Sequence, residues 1–282
     1  MIYVSSACLK RNRISDIIKE FIEAGIKNIE LSGGSKYYED IEKDLMDLKK
    51  NYGLSYAFHA YFPPPKIDFV VNLASCNDEI YRRSIEHYDE TIKMMKKVDS
   101  QVLSVHAGFL VEITADEIGK KLNNRIIYDE AKAYDRFCTA YKDIEKKCME
   151  NGITLYLENN VLNAENYKEF SYNNYMMMTD YQSIMKMKEQ MEFNLLLDLG
   201  HLYVSSNTLK LDYDQECEAL GGVACWIHLS ENNGIFDEHK PLKKQSKILE
   251  EFYKIDNQRI NVTLETAGSV DSILKSINML NN

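Results

Sequence analysis

The sequence predicts an α/β fold, a (β/α)8 barrel (TIM barrel), as a single domain spanning residues 1–282. Short apolar runs alternate with longer amphipathic segments along the whole chain, and the runs number eight, the repeat of a closed barrel. A doubly wound open sheet is the main competing fold. That fold favours a glycine-rich turn after its first strand, and the segment from Ser5 to Cys8 contains no glycine.

Each predicted strand is a short run rich in β-branched and other apolar residues. Most are apolar nearly throughout, as expected for parallel strands covered on both faces. The eight runs are residues 2–6, 26–31, 54–59, 101–106, 153–158, 194–198, 224–229 and 260–265. No Pro-, Gly- or Ser-rich linker interrupts them, which indicates one domain.

The segments between the runs predict helices with one buried face. Apolar residues recur at the i, i+3, i+4 spacing over residues 14–22, 81–95 and 270–280. Gly25 and Gly152 stand where a helix should end before the next strand begins. The longest stretch without either pattern is 159–179, which we expect to be a loop that packs on the barrel or acts as a lid or subunit contact.

Composition limits the classes of partner. The net charge of −10 gives no broad attraction for phosphate backbones. No apolar run is long enough to span a bilayer, and no charged leader precedes an apolar stretch, so we expect neither membrane insertion nor secretion. The six cysteines form no C-x-x-C pair, so we expect reduced, mostly buried thiols in a cytoplasmic protein.

The residues that close the strands are the most informative feature. Polar side chains end six of the eight runs, and three more follow in the adjoining loops. They are His59, His106, Glu158, Asp198, His228 and Glu265, with His201, Asp237 and His239. Because the carboxyl ends of barrel strands meet at one mouth, we expect all nine to lie together. The sixth histidine, His87, lies inside a predicted helix, and we expect it at the surface.

Gathering these groups at one mouth predicts a metal site. Burying several carboxylates and imidazoles together is costly unless cations offset them. Mixed imidazole and carboxylate donors suit Zn²⁺, Mn²⁺, Fe²⁺ or Co²⁺ better than Ca²⁺. Since one catalytic ion needs only three or four protein ligands, the nine candidates allow one to three ions.

The pattern resembles the xylose-isomerase-like TIM-barrel superfamily, which contains endonuclease IV and many sugar isomerases and epimerases. By that resemblance Glu158, Asp198, His228 and Glu265 form the shared four-ligand site, in which Glu158 bridges two ions. The other five positions match those that complete the three-metal site of endonuclease IV: His59, His106, His201, Asp237 and His239. The compact loop from Glu231 to His239 is closer to proteins labelled sugar phosphate isomerase or epimerase.

Two catalytic functions remain open. In a divalent-metal-dependent sugar (or sugar phosphate) isomerase or epimerase, Glu158 and Glu265 would remove and return the proton next to a carbonyl. Tyr61, Phe62 and Lys240 would then contact the substrate. In an endonuclease-IV-like phosphodiesterase, three ions would act on DNA, and the nine-residue set favours this alternative.

The scarcity of candidate phosphate-contacting arginines favours the sugar enzyme, because the chain contains only seven Arg. We therefore expect an isomerase or epimerase that uses Zn²⁺ or Mn²⁺ and takes a small carbohydrate. A non-catalytic metal- or carbohydrate-binding barrel is the third possibility. Barrels of this kind often pair, which allows a homo-oligomer, but the sequence does not determine the oligomeric state.

Overall fold

The eight apolar runs form a closed barrel of parallel strands, each paired with its neighbours in chain order. The computed structural model describes residues 1–123, 125–255 and 260–281. The strands are β1 (Ile2–Ser5), β2 (Asn28–Leu31), β3 (Ser55–His59), β4 (Val102–His106), β5 (Thr154–Glu158), β6 (Asn194–Asp198), β7 (Ala224–Leu229) and β8 (Asn261–Leu264). β1 pairs with β8 and closes the ring, so the (β/α)8 prediction is confirmed.

Helices cover the outside of the barrel. Their bounds are α1 (Ile14–Glu23), α2 (Ile41–Tyr52), α3 (Asp78–Lys97), α4 (Glu130–Glu150), α5 (Ala164–Glu169), α6 (Tyr181–Gln190), α7 (Leu199–Leu209), α8 (Tyr213–Gly221), α9 (Lys247–Lys254) and α10 (Val270–Leu280). The apolar stripe of α1 is buried against the strands, since Ile14, Ile17 and Phe21 are fully inaccessible. Gly25 follows α1 with a φ of 78°, and Gly152 follows α4 with a φ of 67°, as expected for residues that end a helix.

The barrel interior has an apolar floor. A small cluster of inward side chains, Tyr3, Ala57, Leu196 and Trp226, is separate from the larger core between strands and helices. Trp226 is 1% exposed and its ring lies 5.1 Å from that of Tyr3. The side chain two residues after each floor residue also points inward and therefore lies directly above the floor.

Two expectations from the sequence are wrong. The stretch 159–179 is not free of secondary structure, because it contains α5, whose first turn is capped by the side chain of Asn163. His87 is not a surface residue but is 8% exposed, with its ring against Phe69 and Tyr88. Its position beside the apolar stripe of α3 places the ring against Phe69, in the loop between β3 and α3.

All six cysteines are free, and three of them, Cys8, Cys148 and Cys217, are buried. Cys225 is exposed, against the expectation that the thiols are mostly interior. Within the described residues no helix is both long and apolar enough to cross a membrane.

Replacing His87 by Leu should make stability less sensitive to acid. Burial lowers the pKa of His87 from 6.5 to about 4. Between these values the unfolded chain binds more protons than the folded protein, so stability falls as the pH falls, by about 3 kcal/mol from this residue. The free energy of unfolding in urea, compared at about pH 7 and about pH 4, should decrease less in the variant than in the wild type.

Tyr88→Phe is the matched control, because it alters the adjacent buried ring without removing a group that titrates in this range. Its stability should fall with acid as steeply as that of the wild type. Equal acid sensitivity of His87→Leu and the wild type would contradict the assignment.

Candidate metal and active site

The polar residues at the strand ends converge above the apolar floor. In β6 and β7 the polar residue comes two positions after a floor residue, and in β5 it comes two positions after Tyr156, which packs against the floor. All three polar side chains therefore point into the barrel as well. Strand register then brings these residues side by side, because His106 pairs with Glu158 and Asp198 pairs with His228. The alternation of side chains along the strands therefore places both the apolar floor and the polar site residues inside the barrel.

Glu158 lies at the centre of the site. One carboxylate oxygen, Oε2, is 3.4 Å from His59 Nε2 and 3.5 Å from His106 Nδ1. The other, Oε1, is 3.5 Å from both His201 Nδ1 and His228 Nδ1. Glu158 is 0% exposed, and neither oxygen has a hydrogen-bond partner among the described residues. A carboxylate buried without partners is strongly destabilising, so this position calls for a positive charge.

Asp198 ends β6 and also caps α7. Its Oδ1 accepts a hydrogen bond from the backbone N–H of His201 at 2.7 Å, while its Oδ2 has no partner in the described part of the chain. The side chain of Asn159 holds the backbone on both sides: Nδ2 donates to the Asp198 carbonyl, and Oδ1 accepts from the Asp198 N–H. One carboxylate oxygen of Asp198 therefore caps α7, and the other is available to bind a cation.

Gly200 lets this turn approach the end of β7. A Cβ added at this position would lie 2.9 Å from Ser230 Oγ and 3.1 Å from Asn232 Nδ2. Asn232 Nδ2 in turn donates to the Gly200 carbonyl at 3.0 Å. Because residue 200 has no side chain, the Asp198-Leu199-Gly200-His201 segment can place both Asp198 and His201 at the mouth without displacing Ser230 or Asn232.

The remaining predicted residues form a second group at the rim. Asp237 Oδ2 lies 3.2 Å from His201 Nε2 and 2.8 Å from His239 Nε2. The loop that carries Asp237 and His239 is pinned by two backbone hydrogen bonds between Glu231 and Lys240. His239 has a φ of 47°, a strained backbone conformation of the kind that concentrates at functional sites.

Glu265 is the most exposed of the three carboxylates at the strand ends. It follows β8, is 8% exposed, and its Oε2 lies 3.6 Å from His228 Nδ1. Although burial raises its pKa, His228, His59 and His239 together hold the pKa of Glu265 well below the usual range. Glu265 is therefore an ionised carboxylate at neutral pH.

The histidines of the site differ in charge. Burial lowers the pKa of His106 to about 4, even beside Glu158, so this imidazole is neutral. Burial raises the pKa of Asp198 to about 6. At the rim, burial is outweighed by Asp237, which raises the pKa of His239 to about 9. Without a cation the rim histidines are thus held by protons that an incoming metal ion must displace.

Glu30 is a buried site residue that the sequence interpretation missed. It lies in β2, is 1% exposed, and its Oε2 accepts hydrogen bonds from His228 Nε2 at 3.1 Å and Thr263 Oγ1 at 2.9 Å. A single charged residue between Ile29 and Leu31 in an apolar strand was the available signal. Ser104 plays a similar part, because its Oγ lies 2.7 Å from His59 Nδ1.

The residues fit a divalent cation. Unpartnered atoms face one another across the site: both oxygens of Glu158, Oδ2 of Asp198 and Nδ1 of His228. Within the described part of the chain, four groups of three residues also place one ligand atom each within 4.8 Å of the others. These are His59, His106 and Glu158; Glu158, Asp198 and His228; His201, Asp237 and His239; and Glu30, His59 and His228. The mixture of nitrogen and carboxylate donors suits Zn²⁺ or Mn²⁺.

The family model for the xylose isomerase-like TIM barrel matches residues 18–281. The chain belongs to this family. Its similarity to individual relatives is more distant. It is 25% identical to the protein MJ1614 of Methanocaldococcus jannaschii over 248 residues, which cover 88% of this chain and 83% of the relative.

Two solved structures, one of a sugar epimerase and one of a sugar epimerase-like protein, share the barrel fold with this chain. A D-tagatose 3-epimerase-like protein superimposes with a TM-score of 0.72 at 19% identity, covering 99% of this chain and 95% of its own. The D-psicose 3-epimerase of Clostridium cellulolyticum H10, solved with D-tagatose, has a TM-score of 0.62 at 16% identity, covering 98% and 89%. At such identities the likeness is one of fold.

The mouth of this xylose isomerase-like barrel opens into a cavity of about 640 Å³. Its base is lined by His59, His106, His201, Asp237, His239 and Glu265, and its walls by Tyr61 and loop residues that are mostly apolar, such as Val71, Phe109 and Met176. Two loops are joined above it, since Asn160 Nδ2 lies within 3.0 Å of the carbonyls of Ala107, Gly108 and Met177. The volume is that of a small-molecule site.

Two of the three residues expected to contact substrate lie elsewhere. The chain turns at Tyr61, which has a φ of 68°, and this sends Phe62 into the core, where it is 0% exposed and packs edge-on against Phe58. Lys240 is exposed, and its ammonium pairs with Glu238 rather than lining the cavity. Tyr61 remains in position to contact a ligand.

Gly200→Ala should destabilise the protein by about 1–3 kcal/mol, because the added Cβ overlaps Ser230 and crowds Asn232 in a packed region. Gly222→Ala is the matched control. Gly222 has a φ of −70° and no atom within 4 Å of an added Cβ, so stability should stay within about 1 kcal/mol. Urea unfolding of both variants measures the difference, and equal stabilities would show that the turn tolerates a side chain.

Proposed function

We propose that this protein is a divalent-metal-dependent isomerase or epimerase that moves a proton next to the carbonyl of a small sugar or sugar phosphate. The observation that carries the proposal is the position of Glu265. This ionised carboxylate borders a small-molecule cavity and lies beside the group of imidazoles around Glu158. The family and its sugar epimerase neighbours in fold support the same chemistry.

Glu158, Asp198, His228 and Glu265 would hold the ion closest to the substrate. A divalent cation bound there supplies a Lewis acid that polarises the oxygens of the substrate. The unpartnered oxygens of Glu158 and Asp198 point to the same role for both residues. His59 and His106 would complete a second position, and His201, Asp237 and His239 a third.

Glu265 is the better placed of the two candidate bases. Its carboxylate borders the cavity, whereas Glu158 is fully buried beneath the histidines. Because Glu265 is ionised, its carboxylate oxygens can accept a proton from the carbon next to the carbonyl. Tyr61 and the apolar loop walls would limit the access of water to that proton. Glu158 as the second base remains a prediction.

Glu265→Gln should lower solvent proton exchange into the substrate by about 10²–10⁴-fold, because the amide cannot accept the proton. Metal-loaded enzyme would be incubated in D₂O with D-tagatose, D-psicose and their phosphates, and deuterium incorporation followed by NMR. Glu218→Gln, on the exposed face of α8, is the control and should exchange like the wild type. Unchanged exchange in Glu265→Gln would reject this carboxylate as the base.

His239→Ala should remove one bound ion, because His239 contributes to only one of the four ligand groups and lies far out on the rim. Elemental analysis of dialysed protein would give one ion fewer per chain than the wild type. His87→Leu serves as the control, since His87 lies on α3 outside the site and its loss should leave the metal content unchanged. Identical metal content in His239→Ala would contradict a rim metal position.

A DNA phosphodiesterase is the second candidate, and one observation favours it. Three of the ligand groups share no residue except Glu158, as a three-ion site of the endonuclease IV type requires. Of the basic side chains, however, only Lys10 and Lys120 line the cavity among the described residues. A surface that grips duplex DNA needs many phosphate contacts, so we rank this function second.

Incubation of the metal-loaded protein with a duplex that carries a single abasic site separates the two functions. We expect the labelled strand to stay intact. Specific cleavage beside the abasic site, lost in His239→Ala, would reverse the ranking.

A further inference from the structure

Beneath the proposed metal site, a chain of hydrogen bonds ends on the outer nitrogen of His228. Trp226 Nε1 lies 2.9 Å from Thr263 Oγ1, Thr263 Oγ1 lies 2.9 Å from Glu30 Oε2, and the same oxygen lies 3.1 Å from His228 Nε2. All four residues are at most 1% exposed, and they come from β2, β7 and β8. This chain of hydrogen bonds crosses the inside of the barrel.

The direction of every hydrogen bond in this chain is fixed by chemistry. An indole N–H can only donate, so Thr263 accepts from Trp226 and its own hydroxyl proton must go to Glu30. A carboxylate accepts, so His228 donates from Nε2. Nε2 therefore carries a proton, and in the neutral ring that binds a metal Nδ1 is the free nitrogen, which faces Glu158 Oε1 at 3.5 Å and Glu265 Oε2 at 3.6 Å.

We propose that Glu30 is a positioning residue that holds the proton of His228 on Nε2 and so presents Nδ1 to the metal ion. The inference rests on the metal site of the proposed function. A carboxylate behind a metal-binding histidine fixes the orientation and tautomer of the ring and strengthens the nitrogen as a ligand. Glu30 would act through His228 without touching substrate or metal.

Two other histidines of the site, His59 and His201, have uncharged groups next to Nδ1. His59 Nδ1 is backed by the hydroxyl of Ser104, which also lies 3.4 Å from the Phe58 carbonyl. His201 Nδ1 is backed by the Asn159 carbonyl at 2.9 Å. His201 Nε2 also faces a carboxylate, that of Asp237, but Asp237 belongs to the proposed rim site itself. Of the three, only His228 has a carboxylate outside the proposed ligand set on its second nitrogen, and it is also the histidine in contact with both candidate bases. Loss of Glu30 should therefore affect the central ion most.

Glu30 also belongs to a group that could bind an ion directly, with His59 and His228. One fact speaks against that role: its Oε2 is already engaged by both His228 and Thr263, although its Oε1 has no hydrogen-bond partner among the described residues. If Glu30 is a metal ligand, its replacement should remove a bound ion. If it is a positioning residue, the same number of ions should bind more weakly.

The test measures Zn²⁺ affinity and stoichiometry by competition with a chromophoric chelator. Glu30→Gln keeps the shape and can still accept from His228 Nε2, but it lacks the charge, so we expect a several-fold loss of affinity. Glu30→Ala should lose about 10–100-fold at unchanged stoichiometry. Thr91→Val, which removes a fully buried hydroxyl of α3 far from the site, is the control and should bind like the wild type.

A second measurement guards against general loss of structure. In the zinc-loaded protein labelled with ¹⁵N-histidine, long-range ¹H–¹⁵N spectra should show His228 protonated on Nε2 in the wild type and in Glu30→Gln. In Glu30→Ala this single tautomer should be lost. Glu30 variants with wild-type affinity and an unchanged tautomer would overturn the inference, and loss of a whole ion would make Glu30 a ligand. A wild-type protein that binds no Zn²⁺ would instead overturn the metal site itself.

Discussion

The structure depends on one buried charge. Glu158 lies at the centre of the barrel mouth with four imidazoles at 3.4–3.5 Å and no hydrogen bond to either oxygen among the described residues. Burial is outweighed by nearby carboxylates, which raise the pKa of His201 and His228, so protons on these rings can balance the charge when no cation is bound, while burial keeps His106 neutral. A divalent cation would balance it directly and use the same nitrogens as ligands. The architecture around Glu158 therefore supports our proposal of a metal site.

The barrel supplies that support through two ordinary features. Alternation along each strand puts an apolar floor, centred on Trp226, directly below the polar residues. Parallel register then aligns His106 with Glu158 and Asp198 with His228. Loops add what strands cannot: the tight turn at Gly200 brings His201 inward, and the pinned loop after β7 brings Asp237 and His239 over the rim.

Much of this arrangement could be predicted from the sequence. The strands and the convergence of His59, His106, Glu158, Asp198, His228 and Glu265 follow from the repeated pattern of an apolar run closed by a polar residue. Glu30 was missed because its partner His228 is 198 residues away and only barrel closure joins them. The errors are local in origin. Phe62 follows a left-handed residue, and Lys240 finds Glu238 on its own loop, neither of which the apolar pattern reports.

The central claim is that metal ions occupy the space around Glu158. The most direct measurement is an anomalous difference map from crystals of the protein purified without added metal, with data collected on both sides of the zinc and manganese absorption edges. We predict a peak between the Glu158 carboxylate and Nδ1 of His228, with Nε2 of His228 still bonded to Glu30. Crystals that show no peak there even after soaking in Zn²⁺ or Mn²⁺, with Glu158 hydrogen-bonded to the surrounding histidines, would contradict the account.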